Sequence, residues 1–144
     1  MPRFVIQLHQ ARALHYDFRL EVEGVLRSWA VPRGPSTDPS EKRLAVQVPD
    51  HSMSHADYEG PTVIVWDDGV YEPLDESRTM AEALDGGHAS FWLEGSKLRG
   101  GWTLHRTQDG AKPQWLLIKR RDEEADAGDP VREQPESVKT GRTL

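Results

Sequence analysis

Residues 7–19, QLHQARALHYDFR, contain two alternating polar and apolar patterns joined by a short link. Successive side chains of a strand point to opposite faces, so His15, Asp17 and Arg19 share one face. Tyr16 and Phe18 share the other. The pattern predicts a strand with one side against a core and the other side rich in groups that bind metal and phosphate.

The segment before this strand repeats the scheme. Phe4, Ile6 and Leu8 alternate with Gln7 and His9, which is the period of a half-buried strand. The residues between the two patterns leave enough chain for a turn. If the two strands pair, one surface gathers five polar side chains, namely Gln7, His9, His15, Asp17 and Arg19.

Strand patterns dominate the rest of the chain. They cover residues 4–9, 15–22, 26–31, 44–48, 62–66, 70–72, 90–94, 97–106 and 114–120. Gly and Asp mark the predicted turns, as in Asp67-Asp68-Gly69. One segment, residues 76–85, has helical spacing and is followed by two glycines that can end a helix.

This order of elements predicts a mainly β fold, a meander of hairpins around one core. Closure of about eight strands, with one short helix, into a compact closed or nearly closed β-barrel would leave no exposed strand edges. A sandwich of two sheets would satisfy the same alternation. The strand pattern by itself does not separate the two architectures.

Composition limits the class of protein. A chain of 144 residues with 36% hydrophobic content fits one domain, which we assign to residues 1–121. No apolar run is long enough to span a membrane and no signal-peptide pattern is present, so we expect a cytoplasmic protein without a membrane partner. With no cysteine, a metal would be held by imidazole and carboxylate rather than thiolate.

Residues 122–144 differ in composition from the rest. They hold seven acidic and three basic side chains and carry most of the formal net charge of -6. The acidic start of this segment has few apolar groups to bury, so we expect a disordered tail or linker. The nearly neutral remainder can still concentrate positive charge in one groove, and the acidity therefore does not exclude a nucleic-acid end as ligand.

The polar face has two other interpretations. The pattern His15-x-Asp17-x-Arg19 is compatible with an ordinary solvated sheet face. Two histidines and one carboxylate are also the ligand set of non-haem iron oxygenases, although the surrounding arginines and the lack of a co-substrate signature disfavour that class.

Seven motifs in a fixed order resemble one family. They are FVIQLH (4–9), LHYDFRLE (14–21), GVLRSWAVPRGP (24–35), KRLAV (42–46), DH (50–51), TVIVWD (62–67) and WLLIKR (115–120). Over residues 4–121 the chain resembles the 3'-phosphoesterase domain of bacterial DNA ligase D and its stand-alone relatives. The resemblance implies a compact β-barrel and a Mn²⁺-dependent enzyme. That enzyme would remove a 3'-terminal ribonucleoside and then the 3'-phosphate during DNA end joining.

The resemblance also implies roles for single residues. The implied metal ligands are His9, His15 and Asp17, and Arg19 and His51 complete the implied catalytic set. The implied substrate-binding residues are Gln7, Arg19, Arg33, Arg43, His51 and His55. Arg33 occupies a position that is usually Lys, so the charge is kept while a planar fork replaces a point charge. His55 occupies a position that is often Tyr.

These residue types suit the implied chemistry. Two imidazoles and one carboxylate leave coordination positions open for substrate and water, as a catalytic metal needs. Mn²⁺ accepts nitrogen and oxygen ligands. Arginines can bind phosphate oxygens through two parallel hydrogen bonds. His51 would protonate a leaving oxygen or bind phosphate as a cation, since a free imidazole has a pKa of about 6.5.

The implied ligands are DNA 3' ends or primer–templates, and the implied partners are ligase and polymerase components of end joining. We expect the protein to be a monomer. Two features depart from the family. Pro61 alone follows Gly60 where members insert a Gly-rich loop of about ten residues, and only three residues precede the first strand where members carry a charged arm. Both departures favour an alternative function, a DNA-end-binding or recruitment module that is catalytically weak or inactive and keeps the metal pocket.

Overall fold

The computed structural model describes residues 1–144 and is built mainly from antiparallel strands. The strands are β1 (Arg3–Gln10), β2 (Leu14–Val22), β3 (Val25–Val31), β4 (Lys42–Ser52), β5 (Val63–Pro73), β6 (His88–Gly95), β7 (Arg99–Gln108) and β8 (Gln114–Lys119). Around the barrel they follow the order β1-β2-β3-β4-β8-β7-β6-β5, and β5 pairs with β1 to close it. The predicted closed barrel of about eight strands is confirmed.

Aromatic side chains fill the barrel. The ring of Trp29 lies 6.3 Å from Phe18 and 5.7 Å from Trp115, measured between centroids. Tyr16 and Phe18, which the sequence placed on the core face, are buried, and so are Trp29, Trp66, Trp102 and Trp115. Trp92 differs, because it is partly exposed and its indole N–H donates to Glu94.

One predicted hairpin, with its turn at Asp67–Gly69, is wrong, because β5 is a single strand there. Residues 62–66 and 70–72 are one strand, with a register shift opposite Ile6 and Gln7 of β1 where a turn at Asp67–Gly69 was expected. Gly69 is required by close packing, because a Cβ there would lie 1.9 Å from the Glu94 carbonyl oxygen. The Asp-Asp-Gly composition resembles a turn, but these residues continue the strand and pair with Ile6, Val5 and Phe4 just after the register shift.

Asp67, the first paired residue after the register shift, is completely buried. Its oxygens accept N–H groups from four backbone positions, including Ser96, Lys97 and Leu98 at 2.8–3.0 Å. These bonds hold the turn between β6 and β7 against β5. Burial raises the pKa of Asp67 to about 6, and the backbone N–H donors oppose that rise.

We expect the stability of the parent to fall as pH rises from about 4 to about 6. An unfolded Asp releases its proton near pH 4 whereas buried Asp67 keeps it until about pH 6, so the folded state binds more protons in this window. The contribution is about 2–3 kcal/mol. Denaturant unfolding at several pH values should give this slope in the parent and a flatter one in Asp67→Asn. An equal slope in Asp67→Asn would show that another group titrates.

The helices are short, and the first of them adds Met80, Ala83 and Leu84 to the main core. α1 (Met80–Asp85) begins later than the predicted helix of residues 76–85, because Thr79 and Glu82 form a capping box that fixes its first turn. A 3-10 turn (Met53–His55) and α2 (Pro130–Glu133) are additional to the one helix predicted. No helix is both long enough and apolar enough to cross a membrane.

Residues 122–144 pack on the barrel, whereas the sequence predicted disorder or a linker. Pro130 and Ser137 are buried, and Val131 packs against the main core. The backbone of this segment bonds to β5: the Trp66 indole N–H donates to the Gln134 carbonyl at 2.8 Å, and the Val138 N–H donates to the Val65 carbonyl at 3.0 Å. The amino-acid composition did not indicate this packing, because backbone carbonyls and a few small apolar groups make the contacts. The domain boundary at residue 121 stays a prediction.

Candidate metal centre and phosphate-binding site

Two imidazoles and one carboxylate meet on the β1–β2 hairpin, on the face opposite the barrel core. In the antiparallel register His9 lies opposite His15, and Gln7 lies opposite Asp17. The nearest ligand atoms of His9, His15 and Asp17 all lie within 4.8 Å of one another. The structure thus brings together the three residues that the sequence selected, which we call the metal trio.

The hydrogen bonds of His15 favour a cation within the metal trio. Its Nδ1 lies 3.1 Å from the Ala13 carbonyl oxygen, so a proton on Nδ1 satisfies that acceptor. Neutral His15 then has a lone pair on Nε2, 3.0 Å from Asp17 Oδ1. Two acceptors at this distance repel each other unless a proton or a metal ion lies between them. A backbone carbonyl that fixes the other ring nitrogen is typical of metal-bound histidine.

Arg19 lies beside the trio and is only 3% exposed. Its Nη2 is 3.4 Å from Asp17 Oδ2, its Nε donates to Gln7 Oε1 at 2.8 Å, and its Nη1 donates to Ser28 Oγ at 2.9 Å. Burial lowers the pKa of Arg19 and the Asp17 carboxylate opposes this, but a guanidinium titrates so far above neutrality that it stays charged. The site therefore has a fixed, oriented cation next to the trio.

Gln7 makes three side-chain hydrogen bonds within the protein, and the substrate contact implied by the resemblance stays a prediction. The side chain is completely buried. Its Oε1 accepts from Arg19, and its Nε2 donates to the carbonyl oxygens of His55 and Tyr58 at 2.9 and 3.1 Å. Both amide atoms are thus engaged within the protein. Gln7 orients the guanidinium and holds the segment after β4 against the hairpin.

Three rings in that segment stack on one another. The centroids of His51 and His55 are 4.6 Å apart and those of His55 and Tyr58 are 5.2 Å apart, with interplanar angles of 26° and 18°. The Tyr58 N–H donates to the His55 carbonyl at 3.1 Å, and side chains three residues apart eclipse in such a turn. Burial, followed by the charge of Arg19, lowers the pKa of both histidines, which favours neutral imidazoles at neutral pH.

Comparison with known proteins assigns the chain to a family. A model of the DNA ligase D 3'-phosphoesterase domain matches residues 7–106. The chain belongs to this family. It is 50% identical over 155 aligned residues to the multifunctional non-homologous end joining protein LigD of Pseudomonas aeruginosa, with 99% of this chain and 18% of that protein covered.

More distant relatives give the same family. The LigD proteins of Mycobacterium tuberculosis and Mycolicibacterium smegmatis are 35% and 36% identical. Each alignment covers 83–84% of this chain but only 16–17% of the relative. The chain therefore spans less than a fifth of the length of these multifunctional relatives.

Two arginines that the resemblance assigns to phosphate binding make no direct polar contact with the metal trio. No hydrogen bond or ion pair joins Arg33 or Arg43 to it. Arg33 is exposed just beyond β3. Arg43 pairs with Leu117, and its Nη2 lies 3.5 Å from Glu41, while its Nε is buried without a partner. The roles of Arg33 and Arg43 stay predictions for this member of the phosphoesterase family.

Sequence reasoning missed Ser28, which accepts from Arg19 and donates to the Leu26 carbonyl at 3.0 Å. The signal was present, because Ser28 is a polar residue at a buried alternate position of β3, and in the register it lies opposite Arg19. Without a known register, nothing connected the two residues.

The largest surface cavity lies away from this chemistry. It has a volume of about 600 Å³ and lies between α1 and the ends of β2 and β5, where Glu23, Tyr71 and Met80 are among the lining residues. None of the predicted site residues lines it. We give weight to the trio and Arg19, because they combine imidazoles, a carboxylate and a guanidinium, whereas the charged residues lining the cavity are all acidic.

Proposed function

We propose that this protein is a Mn²⁺-dependent phosphoesterase that processes DNA 3' ends in end-joining repair. It would remove a 3'-terminal ribonucleoside and convert the resulting 3'-phosphate to a hydroxyl. One observation carries the proposal: the three ligand atoms of the metal trio lie within 4.8 Å of one another, next to the buried Arg19 guanidinium. Membership in the 3'-phosphoesterase family supports the same reaction class.

The trio fits a divalent ion. Its donor set is two imidazole nitrogens and one carboxylate, and the His15 and Asp17 acceptors face each other at 3.0 Å. His9 and His15 are partly exposed, so substrate can reach them. A metal ion bound there would supply positive charge for the phosphoryl oxygens and lower the pKa of water. Mn²⁺ is the proposed ion, and other divalent transition metals match the same donors.

Arg19 is the proposed phosphate-binding group of the protein itself. Gln7 and Ser28 fix its guanidinium through Nε and Nη1, so the remaining N–H groups have a defined direction. A phosphate oxygen bound there would gain a charge-assisted hydrogen bond in a site with little water. The same contact would strengthen as negative charge develops in the transition state.

The histidines after β4 would complete the site. Because their pKa values are lowered, His51 and His55 suit hydrogen bonding to phosphate or acceptance of a proton. This modifies the expectation that His51 donates a proton. DNA 3' ends, together with ligase and polymerase components of end joining, are the proposed partners, and a cytoplasmic location is proposed with them.

The function is tested by turnover of two primer–templates with Mn²⁺ present. One primer ends in a single ribonucleotide and the other in a 3'-phosphate. Separation of the products by length and end group should reveal a 3'-phosphate intermediate and a final 3'-hydroxyl. Absence of both products, under conditions where the protein is folded and Mn²⁺ binds, would refute the phosphoesterase function.

Mn²⁺ should raise the melting temperature of the parent, because an ion that binds only the folded state stabilises it by mass action. At a hundredfold excess over the dissociation constant the gain is about 2.7 kcal/mol. His15→Ala should lose most of this shift. His105→Ala is the matched control, since His105 is an exposed strand histidine outside the trio. Equal shifts in the parent and in His15→Ala would count against the site.

A recruitment module is the second candidate. The observation that favours it is the short connection into β5, where Gly60 pairs directly with Val63 and Pro61 stands in place of the family's longer loop. Without that loop the protein would enclose the substrate less completely, while it could still bind the metal ion and the DNA 3' end. Tight binding of 3'-phosphate primers without any turnover would favour this function over catalysis.

A further inference from the structure

Tyr58 is unusual among the aromatic side chains of this protein. Its side chain is 46% exposed. Every other Phe, Tyr and Trp is buried or partly buried. An aromatic ring that only stiffened its loop would gain more by packing against the barrel, as the other rings do. The exposure of Tyr58 leaves its ring accessible to a ligand.

The orientation of the Tyr58 ring is fixed by its neighbours. One neighbour is the His55 ring, nearly parallel at 18° and itself stacked on His51. Another is Gly60, where a Cβ would lie 2.5 Å from the Tyr58 hydroxyl oxygen. Any larger residue at position 60 would push the phenol ring away. The three rings thus form a preorganised column, which we call the ring stack.

The ring stack is directly connected to the phosphate-binding group. Gln7 Nε2 donates to the Tyr58 carbonyl at 3.1 Å, while Gln7 Oε1 accepts from Arg19 at 2.8 Å. One side chain thus links the backbone under the ring to the guanidinium. The short connection at Pro61 leads straight into β5, so no long loop follows Tyr58.

We propose that the ring stack is a nucleobase platform, on which the base of the 3'-terminal nucleotide stacks while its phosphate lies at Arg19. The platform deepens the proposed function and rests on it. Stacking is tolerant of base identity, because every base offers a π face. It would select a nucleotide end over a free phosphate or a phosphorylated protein, since neither of those carries a base.

The test compares two fluorescent primers that end in a 3'-phosphate. They differ only at the terminal residue, which is thymidine in one and a base-free tetrahydrofuran in the other. Dissociation constants come from anisotropy without added Mn²⁺, and turnover is measured separately with Mn²⁺. The variants are Tyr58→Ala, Tyr58→Trp and Gly60→Ala, and melting curves verify that each is folded.

The parent should bind the thymidine primer about tenfold more tightly than the base-free primer, within the range of base–aromatic stacking. Tyr58→Ala should abolish that preference without weakening binding of the base-free primer, and Tyr58→Trp should keep it. Gly60→Ala should reduce the preference although Tyr58 is present. Equal binding of both primers by the parent, equal loss for both in Tyr58→Ala, or no binding of either would overturn the platform. A preference without turnover would support the platform and refute the phosphoesterase function.

Discussion

Arg19→Ala is expected to lower kcat/KM on a 3'-phosphate primer by on the order of a hundredfold. The loss corresponds to about 2–4 kcal/mol of transition-state stabilisation, which is typical when one positioned donor is removed from a water-poor site. The motivating observation is that Arg19 is 3% exposed and lies 3.4 Å from Asp17 of the metal trio. Rates measured by product release, at saturating Mn²⁺, provide the comparison.

Two further variants separate charge from geometry. Arg19→Lys keeps a cation but loses the fork that Gln7 and Ser28 hold, so its rate should lie between those of the parent and Arg19→Ala. Arg99→Ala is the matched control, since Arg99 is a strand arginine that is 55% exposed and pairs only with Glu94. Melting curves ensure that rates refer to folded protein. Parental activity in Arg19→Ala would refute the assignment.

Removing residues 129–144 is expected to destabilise the barrel by about 3–5 kcal/mol. The deletion leaves the buried Trp66 indole N–H without its Gln134 acceptor and exposes core that Val131 covers. It also removes the Lys139–Asp57 ion pair and the hydrogen bonds that Ser137 and Thr140 donate to Glu59. An unsatisfied buried donor costs about 1–3 kcal/mol, and each further hydrogen bond contributes about 1 kcal/mol.

The measurement is thermal unfolding, where a loss of this size lowers the melting temperature by about 10 °C for a chain of this length. A shorter deletion, of residues 143–144 alone, is the matched control, because both residues are exposed. Lys97→Ala isolates one contribution, since the Lys97 ammonium bonds to the Gln134 and Glu136 carbonyls. An unchanged melting temperature after the long deletion would mean that the segment adds no stability.

The sequence predicted the metal trio because its members are local. His9, His15 and Asp17 lie on two strands joined by a short link, and a two-residue period decides which side chains share a face. The barrel was predicted only as one of two architectures, since closure depends on β5 returning to β1. Strand alternation is the same in a sandwich and a barrel, and the family resemblance supplied the distinction.

The features that the sequence did not predict are contacts between distant parts of the chain. Nothing in the sequence indicated that the Gln7 amide donates to the carbonyl groups of His55 and Tyr58. Asp67 looked like a turn residue, but its carboxylate holds the backbone of residues 96–98. The C-terminal segment looked disordered because its composition lacks apolar runs. In each case the partner lies tens of residues away, and a single sequence contains no signal for that pairing.

The local origin of the trio also bears on the order of folding. Its ligands come from one hairpin, whereas closure of the barrel joins partners as distant as Arg3 and Val70. Contacts close along the chain form first, because short loops cost less entropy to close. The register of this hairpin therefore decides the geometry of the trio before the barrel closes, since a slip by one residue turns each ligand of the slipped strand to the opposite face.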